Sequence, residues 1–122
     1  MAEASLILSV NCNRRNLELL EQFLVKNGYA VVNAATLNEM AALLEQESSI
    51  RMALVDITAF DTKIWEQCET LRQKSIPFLI FSPRQISAIQ QTEIMHSAHG
   101  VIVKPLVTQE LLILIKQMLA QE

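Results

Sequence analysis

Short, nearly continuous apolar runs alternate along this chain with longer segments in which apolar residues recur every three or four positions. A run of four or five apolar residues suits a strand covered on both faces, while the three-to-four spacing marks one face of a helix. Leu6-Ile7-Leu8-Ser9-Val10 predicts a first strand. Asn13 then opens a helix with Leu17, Leu20 and Leu24 on one stripe. Gly28 closes it, because glycine takes the left-handed backbone past a helix end at least cost. Residues 29–32 predict a second strand, and Thr36 and Glu39 stand at capping-box spacing ahead of a helix with Met40, Leu43 and Leu44 inward. Met52-Ala53-Leu54-Val55 predicts a third strand running straight into Asp56, and Asp61 is placed to cap a helix carrying Ile64, Trp65, Cys68 and Leu71. Residues 77–81 predict a fourth strand closed by Ser82-Pro83, a weaker helix covers 85–95, and Val101-Ile102-Val103 forms a fifth strand. Thr108 caps a final helix rich in leucine and isoleucine.

The order is βαβαβαβαβα with buried strands. Right-handed crossovers between parallel strands then require an α/β fold, a doubly wound parallel sheet with helices on both faces. At 122 residues the chain is read as a single domain over 1–122, long enough to bury a core without metals or disulfides. In doubly wound sheets ligands and chemistry collect outside the carboxyl ends of the strands. Four places follow immediately on predicted strands: Asn11-Cys12-Asn13, Asp56, Ser82 and Lys104-Pro105. Their convergence on one sheet edge is the main functional signal.

Composition narrows the function further. The net charge of −3 and the scattered Lys and Arg leave no basic field for a phosphate backbone, so no nucleic-acid partner is expected. No apolar run approaches the ~20 residues of a membrane span, and no basic-then-apolar leader begins the chain. Cys12 and Cys68 form neither a disulfide framework nor a spaced metal cluster, which fits a reducing, cytoplasmic compartment. Only Gly28 and Gly100 are available as glycines, so no strand ends in a glycine-rich phosphate loop, and a flavodoxin-like cofactor binder has little support. Of 13 acidic residues only Asp56 and Asp61 are aspartates.

With Asp56 after the third strand, Ser82 after the fourth and Lys104-Pro105 after the fifth, the whole chain resembles the receiver domain of two-component response regulators, the CheY-like family. The resemblance implies a five-stranded (βα)5 sheet of order 2-1-3-4-5. It also implies that Asp56 stands at the phosphoacceptor position, Ser82 at the hydroxyl that contacts the phosphoryl group, and Lys104 at the cation. Two positions depart from the family pattern. Where the family carries a Mg²⁺-binding acidic pair after the first strand, this chain has Asn11 and Cys12. Where the family carries a switching Tyr or Phe in the fifth strand, it has Val101.

A typical receiver pocket with three carboxylates and one lysine is strongly anionic until Mg²⁺ enters, whereas Asp56 and Lys104 alone sum to about zero. A hard cation prefers carboxylate oxygens, and a thiol is a poor ligand for it. Mg²⁺ is therefore expected to bind weakly or not at all, and phosphoryl transfer to Asp56 to lose its main charge stabilisation. The expected function is a degenerate pseudo-receiver, a protein-docking module with no catalytic residue of its own, and so not an enzyme. Its partner is a signalling protein, a histidine kinase or an output protein. The alternative is a working response regulator in a phosphorelay, phosphorylated on Asp56 by a histidine kinase, with Asn11 and Asn13 replacing the acidic pair.

Simpler readings stand beside these. Asp56 can serve as a structural bridge to Lys104, and Ser82 as a strand-end turn residue. Cys12, at a helix start expected to lower its pKa, is either a redox-sensitive thiol or an inert one. His96 and His99 read as surface residues near a helix end. In the final helix Leu111, Leu112, Ile115, Met118 and Leu119 fit one inward arc. Ile113 lies opposite and Leu114 on the flank, which makes these two the interface candidates for a homodimer through the last helix.

Overall fold

A computed structural model describes residues 5–82 and 100–120. Its five strands are β1 (Leu6–Val10), β2 (Ala30–Ala34), β3 (Ile50–Asp56), β4 (Phe78–Ser82) and β5 (Gly100–Val103). All pair in parallel, in the order β2-β1-β3-β4-β5. Four helices are described: α1 (Arg14–Lys26), α2 (Leu37–Gln46), α3 (Ile64–Gln73) and α4 (Thr108–Ala120). The doubly wound five-stranded sheet expected from the sequence is therefore the one observed. The helix expected over 85–95, together with Pro83, His96 and His99, lies outside the described residues.

Side chains satisfy free N–H groups at the starts of α1 and α2, whereas Thr108, expected to cap the last helix, is instead the first residue of α4. The Asn13 side chain accepts from the Asn16 N–H, and Gly28, at φ +93°, carries the chain out of α1 while its N–H bonds the Val25 carbonyl. At α2 the Thr36 hydroxyl accepts from the Glu39 N–H at 3.0 Å. The return bond of the capping box is displaced by one residue, since Glu39 accepts from the Ala35 N–H at 2.8 Å. Glu39 also accepts from Arg14 at 3.0 Å, which ties α2 to the start of α1. Asp61, expected as the cap of α3, lies two residues ahead of its cap position. Its carboxylate accepts from the Lys63 N–H at 2.8 Å, and Lys63, without a side-chain cap bond, is the cap residue of α3.

Strand alternation divides the core into two layers. Leu8, Val10, Ala53, Val55, Phe78 and Ile80 pack against Met40 and Leu44 of α2 and Ile64, Cys68 and Leu71 of α3. Ile7, Met52, Leu54, Leu79 and Phe81 pack against Leu24 of α1 and Leu111 and Ile115 of α4. Residues 52–56 of β3 are all buried, which is why a continuous apolar run ends there in a buried carboxylate. In α4, Leu114, expected on the flank as an interface candidate, instead packs half-buried on the second layer with Met118 and Leu119. Leu112, expected on the inward arc, is not among the side chains packed there. Ile113 does point outward, at 56% exposure, and the exposed Val103 and Val107 precede it in the chain.

Two local features yield predictions. Bonds from the Ala35 N–H and then from Arg14 hold the Glu39 carboxyl below its ordinary value of 4.5. A carboxyl lowered on folding stabilises the protein above its unfolded pKa and loses that effect as pH falls through the folded value. The urea-midpoint difference between wild type and Glu39→Gln should therefore be full above pH 4.5 and shrink steadily below it. Ala59 adopts φ +68°, a left-handed conformation that costs an L side chain about 1–2 kcal/mol. Ala59→Gly should raise unfolding free energy by about 0.5–1 kcal/mol after the entropy cost of glycine, read as a shift in the same midpoint.

Candidate functional site

The strands β1, β3 and β5 end together at one edge of the sheet, and their terminal residues meet there. Asp56, last in β3, is 3% exposed, and both of its carboxylate oxygens accept hydrogen bonds. The Oδ2 atom receives the Lys104 ammonium at 2.5 Å and the Asn11 Nδ2 at 3.2 Å. The Oδ1 atom accepts from the Thr58 N–H at 3.0 Å. Lys104 Nζ also donates to the Thr58 hydroxyl at 3.2 Å, which closes a ring of three side chains. Lys104 follows β5 directly and is held by its own N–H, which donates to the Ser82 carbonyl at 2.8 Å. The peptide bond between Lys104 and Pro105 is cis.

The orientation of the Asn11 amide follows from its neighbours. Its Oδ1 accepts from the Asn13 N–H at 2.8 Å, and a backbone N–H can only donate, so the oxygen must face that way. Nδ2 is then directed at Asp56. Asn11 thus turns N–H groups, not lone pairs, toward the carboxylate. Asn13 is occupied as the cap of α1 and accepts from the Asn16 N–H at 3.1 Å. The local sum of one carboxylate and one ammonium is zero.

The remaining sequence candidates take separate places. Ser82 is buried at the end of β4, one position beyond Phe81, which is paired with Asp56 in the register. Alternation puts Ser82 on the face of Ile80 and Val101, opposite the face shared by Asp56 and Phe81. Val101 is half-buried and packs into the layer beneath α2 and α3. Cys12 is exposed, but partial desolvation and then the Asp56 charge push its pKa up. This corrects the expectation that the helix start would lower it, and the thiol is protonated at neutral pH. Burial pushes Cys68 up to about 12, which makes it an inert core residue. Among the described residues no group of three His, Cys, Asp or Glu side chains is arranged to hold a metal ion.

Two participants escaped the sequence reading. Thr58 supplies both a backbone donor and a hydroxyl to the ring, and the available signal was its place two residues after an aspartate, the spacing of an Asx turn. A cleft of about 380 Å³ also opens beside Asp56 and Lys104, walled in part by Leu19, Phe23 and Leu106. Leu19 and Phe23 belong to α1, and nothing in local sequence places that helix against the segment after β5.

No known protein family profile matches the sequence, and no curated protein matches it. Solved structures do. A CheY-like response regulator receiver domain protein from Methanospirillum hungatei superposes with a TM-score of 0.88 at 26% identity, covering 98% of this chain and 96% of that one. A response regulator receiver protein from Pseudomonas putida gives 0.84 at 21% identity, over 96% and 99% of the two chains. A protein described as pilus assembly-related, from Burkholderia pseudomallei, gives 0.78 at 19% identity, over 95% and 90%. The structural neighbours are thus CheY-like receiver domains, and the fold is the flavodoxin-like α/β sheet they share.

The ring around Asp56 has a measurable energetic signature. Removing one partner of a buried pair strands the other charge, whereas removing both does not. Lys104→Met should cost about 3 kcal/mol of stability, near the low end for such pairs because Lys104 keeps 30% of its side chain exposed. Asp56→Asn in the same background should recover most of that loss in a double-mutant cycle read by urea denaturation.

Proposed function

We propose that this CheY-like fold serves two-component signalling as a receiver-like docking module, read by its partner in one fixed conformation. The observation that carries the reading is the state of Asp56. Both carboxylate oxygens are occupied by donors from within the chain, Lys104, Asn11 and the Thr58 N–H. A phosphoacceptor must offer an oxygen as nucleophile, and these donors stabilise the charge on both oxygens and so weaken each as a nucleophile.

The donor set also fits Mg²⁺ poorly. A hard divalent ion requires several oxygen ligands at short range. Here the first-strand positions supply an amide already committed to Asn13 and Asp56, and a protonated thiol. Lys104 supplies the positive charge that the carboxylate requires, so a metal gains little electrostatically. Without the ion, charge developing on a transferring phosphoryl group lacks its main stabiliser. We therefore read Asp56 as structural, with phosphorylation weak or absent. Val101 supports the same reading, because an aliphatic side chain packed in the core has no ring to move and no hydroxyl to bond.

The partner on this reading is a cytoplasmic signalling protein, a histidine kinase or an output protein. Self-association through the last helix is carried by Ile113 with Val103 and Val107 rather than by Leu114, which the core holds. No helix among the described residues is long and apolar enough to cross a membrane. A working phosphoswitch is favoured by one observation, the meeting of Asp56 and Lys104 at the strand ends with Ser82 one residue away in the adjoining strand.

Treatment with phosphoramidate or acetyl phosphate, with and without Mg²⁺, separates the two by intact mass. The docking reading predicts no Mg²⁺-dependent adduct, and an adduct appearing in Asn11→Asp/Cys12→Asp, where two carboxylates return. Rapid Mg²⁺-dependent labelling of the wild type, lost in Asp56→Asn, would establish the phosphoswitch instead.

A further inference from the structure

The cleft beside Asp56 is chemically two-sided. Leu19, Leu20 and Phe23 of α1 form one wall, and Leu106, after β5, lies among the residues that complete the apolar lining. Leu19 is 48% exposed, although the buried core residues Leu17 and Leu24 lie within two helical turns of it on α1. At about 380 Å³ the space falls within the range of small-molecule sites and is too large for a packing fault.

The polar end of the cleft gathers amide donors around an ammonium. Asp56, the only carboxylate among the described residues lining it, is paired with Lys104 and has both oxygens bonded. Lys104 carries three N–H bonds, of which two are used among the described residues. Asn11 has a second amide hydrogen beyond the one given to Asp56. Asn16 lines the cleft with a side-chain amide that has no partner among the described residues. The Asn16 carbonyl can accept as well, but the Lys104 side chain is 30% exposed and that of Asp56 only 4%, so the charge an entering group meets is the ammonium, with amide donors around it.

From this the geometry points to a binding site for a small apolar monocarboxylate, its hydrocarbon body between α1 and Leu106 and its carboxylate toward Lys104, Asn11 and Asn16. A phenyl- or branched-alkyl carboxylic acid of modest size has the required shape and charge. The site stands apart from the docking reading: it uses the neutralised pair as a floor and requires neither phosphorylation nor a protein partner.

The test uses 3-phenylpropionate titrated into the whole chain, followed by methyl chemical shifts of the leucines, alongside 3-phenylpropanamide and 3-phenylpropylamine. Saturable shifts at the methyls of Leu19 and Leu106 with Kd below about 1 mM are expected for the acid. The amide should bind about tenfold more weakly, because its head loses the charge-assisted bonds, and the amine should not saturate. Leu19→Trp, at an exposed position that tolerates change, should fill the cleft and abolish binding, and Asn16→Leu should weaken the acid while sparing the amide's hydrocarbon contacts. No saturation by the acid up to about 10 mM overturns the proposal. Equal binding of the amine, or an unchanged Kd in Leu19→Trp, overturns it as well.

Discussion

A carboxylate at the end of a buried central strand sets the terms for the functional edge of this protein. Asp56 is nearly inaccessible, and an ionised carboxyl out of water costs several kcal/mol unless charge and hydrogen bonds return what the solvent gave. Lys104 returns the charge, and Asn11 and Thr58 supply the remaining bonds. Three strand ends and the loop after β3 are therefore held in fixed relation. The ammonium reaches its place only because β5 lies beside β4, with the Lys104 N–H on the Ser82 carbonyl.

That arrangement depends in turn on the two apolar layers. The register of β1, β3 and β4 is specified on both faces, since a slip of one residue would exchange the residues packed under α1 and α4 for those under α2 and α3. Asp56 shares its parity with Met52 and Leu54, so it emerges on the side of α1, beside the cleft. Ser82 and Val101 have the other parity. By strand alternation, Asp56 therefore lies toward one face at the sheet edge and Ser82 and Val101 toward the other.

On the proposed reading, the difference between a receiver pocket that draws in a metal and this one is a matter of local charge. Additional carboxylates beside Asp56 would make the site anionic and leave Lys104 unable to balance it alone. An amide that already bonds Asp56 and a thiol whose pKa is pushed up by desolvation and by that same carboxylate leave it neutral. On the proposed reading the neutral site is a structural clasp, and recognition passes to surfaces that the fold leaves apolar, Ile113 and the strand-end valines among them.

The element order, the buried parallel strands and the cap residues Asn13, Thr36 and Gly28 were legible in the sequence, because local pattern and local hydrogen bonding decide them. So was the presence of Asp56, Ser82 and Lys104 at strand ends, since strand ends are set by where apolar runs stop. What a side chain touches once there was not legible. Leu114 reads as a flank residue on a helical wheel, and the structure packs it half-buried on the second layer. The helix start argued for a lowered Cys12 pKa, but desolvation and the nearness of Asp56, 44 positions away in sequence, act in the opposite direction. The amide of Asn11 acquires its orientation from one neighbour in sequence and one distant residue, and Thr58 joins the ring only because Lys104 arrives from 46 residues away. Local sequence determined which groups stand at the sheet edge; long-range packing alone decided which of them meet, because distance between side chains is a property of the assembled sheet.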